Sequence, residues 1–297
     1  MAKDVSSILI IYNPTALKGK IGEFLPQIKQ RLETRYTVVD YTTAKSAADM
    51  SALAEKSAPK YDVIVSCGGD GTLHQIINGI MKSEFRPYVG VLPFGTCNDV
   101  AHSLHIPNKM NQAIDCLLRM NFVEYDLMFD GLNYGIYAMA TGYLTNCSYG
   151  ASAKAKKNFG RMAYVGYAFK KLFKFKAIPL TVVADKQRLH GKFYYAMLMN
   201  GERAGGFKLN KGENLSNGKV KLVMIKQKNR FSSFISFIKL FAFGINSIRR
   251  SKNTIVLDVH QVQIENPSNE PFSFDGEKCK FLKKKITVNN SIKLICK

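Results

Sequence analysis

Three short segments place glycine, hydroxyl and carboxylate groups directly after buried strands. The first is Gly68-Gly69-Asp70-Gly71-Thr72, which follows the apolar run Asp62-Val63-Ile64-Val65-Ser66-Cys67 and precedes the helical set Leu73, Ile76, Ile77 and Ile80. Glycines in that position let backbone N–H groups converge on an anion without side-chain obstruction, and the helix start adds a positive dipole end. A tight strand-to-helix turn accounts for one or two glycines, but not for three with an aspartate and a threonine. The segment therefore points to phosphate binding. It matches neither Gly-x-Gly-x-x-Gly nor the Walker pattern, so ordinary dinucleotide and P-loop sites lose ground. The second segment is Pro93-Phe94-Gly95-Thr96-Cys97-Asn98-Asp99, and the third is Asn13-Pro14-Thr15 with Lys18, Gly19 and Lys20 behind it. Asn98 alone reads equally well as a helix cap. Loops at the C-terminal ends of parallel strands line one crevice, so three such loops would meet at one edge of a sheet.

The elements that must position these loops alternate. Ile8-Leu9-Ile10-Ile11-Tyr12 is a strand buried on both faces, and residues 36–41, 62–67 and 88–92 are further strands. Helical spacing links Ile21, Phe24, Leu25, Ile28 and Leu32, with Pro26 suggesting a helix start near it. Residues 47–56 and the set Met110, Ala113, Ile114, Leu117, Leu118 are helical too. Alternating strands and helices imply right-handed crossovers and a doubly wound, mostly parallel sheet. Near Phe122 the pattern changes to short strands, clearest at residues 193–199, 220–225, 254–259 and 286–288, with turn signals at Asp130-Gly131, Asn200-Gly201 and Asn217-Gly218. The expectation is an α/β phosphate-binding domain over residues 1–128 and a mainly antiparallel β domain over residues 129–297. The C-terminal segment could pack back on the first.

Charge divides the chain at the same place. The net charge of +21 comes entirely from residues 129–297, where 30 basic residues face 9 acidic ones; residues 1–128 balance at 13 and 13. Such asymmetry suits a polyanionic partner, nucleic acid or an anionic membrane, with a merely solubilising surface as the bland alternative. Residues 154–176 hold eight bases and no acid among many aromatic residues, which reads as a docking surface or as an ordinary packed amphipathic helix. Residues 231–248 are strongly apolar and read first as a core helix. A 46% hydrophobic content excludes general disorder. Six cysteines without metal-type spacing indicate a reducing interior. No apolar signal region is visible at Met1-Ala2-Lys3-Asp4-Val5, and no run of roughly 18 apolar residues exists to span a bilayer.

Together with Phe274-Asp275-Gly276-Glu277, the three loops resemble the diacylglycerol kinase catalytic family, and most closely its soluble bacterial lipid kinases. The glycine motif alone is shared with NAD kinases; the Gly-Thr-x-Asn-Asp loop and the late Asp-Gly-Glu make the likeness specific. The resemblance implies the two-domain lipid kinase and NAD kinase-like architecture, with ATP and Mg²⁺ as cofactors. It implies that Gly68, Gly69, Asp70, Gly71 and Thr72 hold the phosphates, with Asn13, Pro14, Thr15, Gly95, Thr96, Asn98 and Asp99 completing the nucleotide site. The first-loop lysine is either Lys18 or Lys20. Asp70 and Asp99 would bind the metal; Asp70 and Asp275 would also serve catalysis, and Glu277 would be the general base. Where some members carry an aspartate pair before a glycine, this chain has Leu215-Ser216-Asn217-Gly218, so a second Mg²⁺ is not expected.

The implied activity is ATP-dependent phosphorylation of a lipid hydroxyl, first of all diacylglycerol to phosphatidate, by a cytoplasmic protein peripheral to the inner membrane face. A homodimer is compatible with the sequence, and no specific nucleic acid is expected. The competing readings are a nucleotide kinase of the NAD kinase type and a basic nucleic-acid-binding protein. His74 lies beside the glycine motif with no required role, and the other histidines lack ligand spacing. Cys67 and Cys97 read as small packing residues.

Overall fold

The computed structural model describes residues 5–142 and 176–297, so the basic aromatic segment at residues 154–176 lies outside the described residues except for Lys176. The first half alternates as the apolar runs require. β1 (Ser7–Tyr12), α1 (Ile21–Leu32), β2 (Val38–Thr43), α2 (Ala47–Ser57), β3 (Val63–Gly68), α3 (Asp70–Ile80) and β4 (Tyr88–Pro93) are followed by the short α4 (Asp99–Ser103) and α5 (Met110–Arg119). β1 pairs in parallel with β2 and β3, and β3 with β4, in registers such as Ile8↔Val63 and Val65↔Gly90. Every residue of β3 is buried, as expected of a strand covered on both faces. α1 packs beside α5 and α2 beside α3.

One expectation fails at α1. Pro26 sits inside the helix instead of near its start, because Ile21, Leu25, Ile28 and Leu32 form a single buried stripe beginning five residues earlier. Burying Ile21 is worth about 1.5–3 kcal/mol, enough to offset much of the hydrogen bond that proline removes.

From β5 (Phe122–Phe129) onward the chain is antiparallel. It runs through β6 (Tyr134–Gly135), β7 (Ala138–Gly142), β8 (Ile178–Ala184), β9 (Gln187–Met199) and the small hairpin of β10 (Arg203–Ala204) and β11 (Phe207–Lys208). β12 (Val220–Lys226) and α6 (Arg230–Phe243) follow. The chain ends with β13 (Thr254–Val259), β14 (Gln261–Glu265), β15 (Phe272–Phe274), β16 (Glu277–Cys279) and β17 (Lys283–Ile295). β7, β8, β12, β14, β15 and β17 all pair antiparallel with a neighbour from this half. β17 also pairs along β5 and meets β4 in parallel at Leu294↔Val89. One continuous strand order therefore runs from β16 to β2. The architecture is an α/β N-terminal unit with a mostly parallel sheet, joined to an antiparallel strand-rich C-terminal unit.

α6 begins with Asn229, whose side chain accepts from the N–H groups of Phe231 and Ser232, and ends at Gly244. Its inner face packs Phe237 and Leu240 onto Tyr195, Met197, Val223 and Ile225 of β9 and β12. Only half of this segment is core, which is less than its apolar composition suggests.

Candidate active site

The ends of β1, β3 and β4 open onto one cavity of about 950 Å³. Asn13, Pro14, Thr15 and Lys18 line it from the first loop, Gly69, Asp70, Gly71 and Thr72 from the second, and Gly95, Thr96 and Asp99 from the third. Glu277 lines it from the C-terminal unit.

The loops interlock at the backbone. Phe94 N–H donates to the Gly68 carbonyl at 2.9 Å, and Asn13 N–H to the Cys67 carbonyl at 3.0 Å. A Cβ on Gly95 would stand 2.4 Å from the Gly69 Cα, so glycine at 95 is a steric requirement of this crossing. Asn98 lies at φ +52° and staples its own loop, accepting from Gly95 N–H at 2.9 Å and donating to the Pro93 and Gly95 carbonyls at 3.1 Å. It faces the loop instead of the cavity. Gly68 and Lys20 do not line the cavity either; of the two first-loop lysines, Lys18 is the one that does. No side chain caps α3, so the N–H groups of its first turn are left for a ligand.

Asp70 and Asp99 meet at the floor. Asp70 Oδ1 accepts from Val100 N–H at 3.2 Å, and both Asp99 oxygens accept from Gly206 N–H at 3.0 and 3.1 Å. Arg203 Nε stands 3.7 Å from Asp99 Oδ1 and, although buried, has no hydrogen-bond partner. Burial pushes the Asp99 carboxyl up to about 6, with the Asp70 charge adding to the effect. Burial likewise raises Asp70, against backbone donors at Val100, Asp99 and Asn98. Raised proton affinity in two adjacent carboxylates marks negative charge that the chain leaves incompletely neutralised. The pair fits Mg²⁺, which takes oxygen donors from one or two carboxylates and draws the rest from water and substrate phosphates. Among the described residues no cluster of three or more His, Cys, Asp or Glu forms a cage by itself.

The Asp-Gly-Glu turn is arranged differently. Asp275, expected to act beside Glu277, does not line the cavity, and its side chain is fully buried. Its carboxylate accepts from the N–H groups of Ile136 at 2.5 Å, Tyr137 at 3.0 Å and Ala138 at 3.0 Å. His74 Nδ1 lies 3.0 Å from the same carboxylate, and Asn78 Nδ2 lies 3.4 Å from His74 Nε2. Asp275 sits at φ +49° and Gly276 at +93°, and the turn leaves Glu277 exposed at the cavity. Asp275 is thus an anchor that fixes Glu277 without facing the cavity itself. Burial tends to lower the His74 pKa, but the hydrogen bond and charge of Asp275, backed by Glu277 and Asp130, raise it overall.

Sequence reasoning missed His74 as a structural partner, the Gly205-Gly206 hairpin that grips Asp99, and Lys45, Gln75 and Tyr137 in the cavity lining. Lys45 follows β2 as the other loops follow their strands, so its position was available as a signal. Cys67 is buried and its thiol is pushed up to about 12 by burial, consistent with a packing residue. Cys67, Cys116, Cys279 and Cys296 are free thiols.

Comparison with known proteins gives a consistent outcome. Residues 7–129 match the model of the diacylglycerol kinase catalytic domain. A diacylglycerol kinase of Staphylococcus saprophyticus is 32% identical over 222 residues, which is 74% of this chain and 73% of the relative. One from Staphylococcus aureus is 34% identical over 223 residues, 74% of this chain and 70% of the relative. A crystal structure of a diacylglycerol kinase from Bacillus anthracis superposes with a TM-score of 0.78 at 18% identity, covering 98% of this chain and 97% of that one.

Proposed function

The chain belongs to the diacylglycerol kinase family and is a lipid kinase, and from that premise we propose that it transfers the γ-phosphate of ATP to the free hydroxyl of diacylglycerol, giving phosphatidate. The observation that carries the reading is the single cavity in which the uncapped start of α3, the Asp70–Asp99 pair and the Glu277 carboxylate converge. Membership of this family also decides against a nucleotide kinase of the NAD kinase type, whose glycine motif is shared.

Each group then has a task set by phosphoryl transfer, in which positioning and charge neutralisation do most of the catalysis. The first-turn N–H groups of α3, with Thr72, Thr15 and Asn13 around them, receive the phosphates, and Lys18 adds a mobile positive charge at the rim. Asp70 and Asp99 would hold Mg²⁺, which when bound neutralises charge on the phosphate oxygens. Glu277 accepts the proton of the lipid hydroxyl as its oxygen bonds to the γ-phosphorus. The bond from that phosphorus to the β–γ bridging oxygen breaks and ADP leaves. Residues 1–128 hold the nucleotide, and residues 129–297 present the lipid from an anionic membrane surface to which the protein binds peripherally. No helix among the described residues is long and apolar enough to cross a membrane.

The test is to incubate the protein with γ-labelled ATP, Mg²⁺, a total lipid extract and NAD, and to identify the labelled product. Labelled phosphatidate is the expected product. Label in another lipid alcohol would reassign the substrate, and label in NAD would overturn the proposal.

A further inference from the structure

A helix packed on a sheet ordinarily turns a polar face to water; α6 does not. Ser233, Phe234, Ser236, Phe237 and Leu240 are buried on the inner side, while Phe231 is 71% exposed, Ile235 38% and Phe243 76%. Phe231, Ile235, Ile238 and Ala242 recur at spacings of four, three and four, which aligns them along one outer stripe. Cations frame the stripe. Lys228 and Arg230 precede it, Lys239 interrupts it, and Arg249, Arg250 and Lys252 follow it; all six are exposed. None of them forms an ion pair among the described residues. Residues 226–257 contain no aspartate or glutamate at all.

We propose that this outer face of α6 is the surface by which the protein lies on an anionic lipid membrane. Uncompensated cations at both ends select a polyanionic partner, and the row of large apolar side chains between them selects one with an apolar interior. A helix lying in the plane of the bilayer interface meets both demands, with Phe231, Ile235 and Phe243 at the acyl boundary and the basic residues among the headgroups. Nucleic acid offers the charge without the apolar phase. The helix is also joined to the cleft. Phe241 packs edge-on against Phe207 of β11 at 5.1 Å between centroids, and the adjacent Gly206 donates to Asp99. This inference rests on the lipid kinase reading for its purpose, but not for its measurement.

Two variants separate the components: Phe231→Ser/Ile235→Ser/Phe243→Ser, and Lys228→Glu/Arg230→Glu/Arg249→Glu/Arg250→Glu. Sedimentation with phosphatidylglycerol–phosphatidylcholine vesicles and with pure phosphatidylcholine vesicles, at low and high salt, reads docking. Turnover of a short-chain, water-dispersed diacylglycerol reads the catalytic centre without a surface. The unmodified protein should bind anionic vesicles, and should bind them less as salt rises. Each variant should lose at least roughly tenfold in partition while keeping short-chain turnover within about twofold. Vesicle binding by both variants equal to that of the unmodified protein would overturn the assignment. So would a shift from dimer to monomer in the triple-serine variant, which would give the face to a second copy, or binding to DNA but not to vesicles. Failure of short-chain turnover in the unmodified protein would count against the kinase reading alone, because vesicle binding is measured without it.

Discussion

Two acidic pairs lie at or just behind the cavity wall, and the fold treats them in opposite ways. Asp70 and Asp99 are buried close together, their backbone donors do not offset that burial, and their proton affinities rise. Asp275 is surrounded by three backbone N–H groups and His74, while Glu277, two residues on, is left in the open. A carboxylate whose charge the chain satisfies is part of the scaffold. One whose charge is left unmet, or left in solvent at the cavity, is available for chemistry. The difference yields a ranked set of expectations for the four residues.

Asp70→Asn should have the largest effect. Removing the charge that faces the phosphates should cost on the order of 10³-fold or more in lipid phosphorylation. Because burial already disfavours that charge, Tm should stay level or rise. A matching fall in Tm, read by calorimetry, would make Asp70 a scaffold residue and erase the contrast.

Glu277→Gln comes next. Loss of a general base is worth about 10²–10⁴-fold in turnover. The exposed side chain should leave the stability within about 0.5 kcal/mol of its original value, as surface substitutions do. Turnover within twofold of the unmodified protein would remove the base from the proposed mechanism.

Asp275→Asn should invert the pattern. An amide cannot accept as strongly from the three N–H groups and His74, and disrupting a buried, bonded charge costs about 3–5 kcal/mol. Chemical denaturation should report that loss. Activity should fall less than in Glu277→Gln when assayed well below the new Tm, since Asp275 acts only by holding the turn. His74→Gln should show the same signature at smaller size, with the amide keeping one bond to Asp275.

The contrast also explains what the sequence could and could not disclose. Glycines and small polar residues between a buried strand and a helix are local signals, so the three loops that line the cavity, β3 and α3 were readable from neighbouring residues. β12 and β13 were equally plain, with residues 220–225 and 254–259 expected and Val220–Lys226 and Thr254–Val259 found. Asp275 was not readable in the same way. Its partners are 137 to 139 residues away in β7 and the turn before it, and His74 is 201 residues away. Only tertiary packing says whether a carboxylate in an Asp-Gly turn looks inward. The grip of Gly206 on Asp99 is hidden for the same reason, with 107 residues between the two. Pro26 misled in the opposite direction, because a local helix-breaking rule was outweighed by a buried stripe that needs the whole fold to exist.

The smallest expected effect is a pH dependence that joins stability to the metal. Asp99 titrates near 6 in the folded protein and near 3.8 in an unfolded chain, so the folded state binds the extra proton between those values. Stability contributed by this group therefore rises as pH falls from about 6 toward 4, and is lost as pH rises again through 6. The upper bound is about 3 kcal/mol, since each pKa unit is worth about 1.4 kcal/mol, and other carboxylates titrating in acid will oppose it. Mg²⁺ should compete with that proton. With Mg²⁺ present the Asp99 carboxylate stays ionised, and its share of the pH dependence should disappear. With chelator present, the difference in Tm between pH 5 and pH 7 should be more favourable to pH 5 by a few degrees. Asp99→Asn should reduce the sensitivity of that difference to Mg²⁺, leaving the share that belongs to Asp70. If Mg²⁺ shifts the profile of Asp99→Asn as much as that of the unmodified protein, the ion is held elsewhere, and the unmet charge at the cavity floor is answered by Arg203 instead.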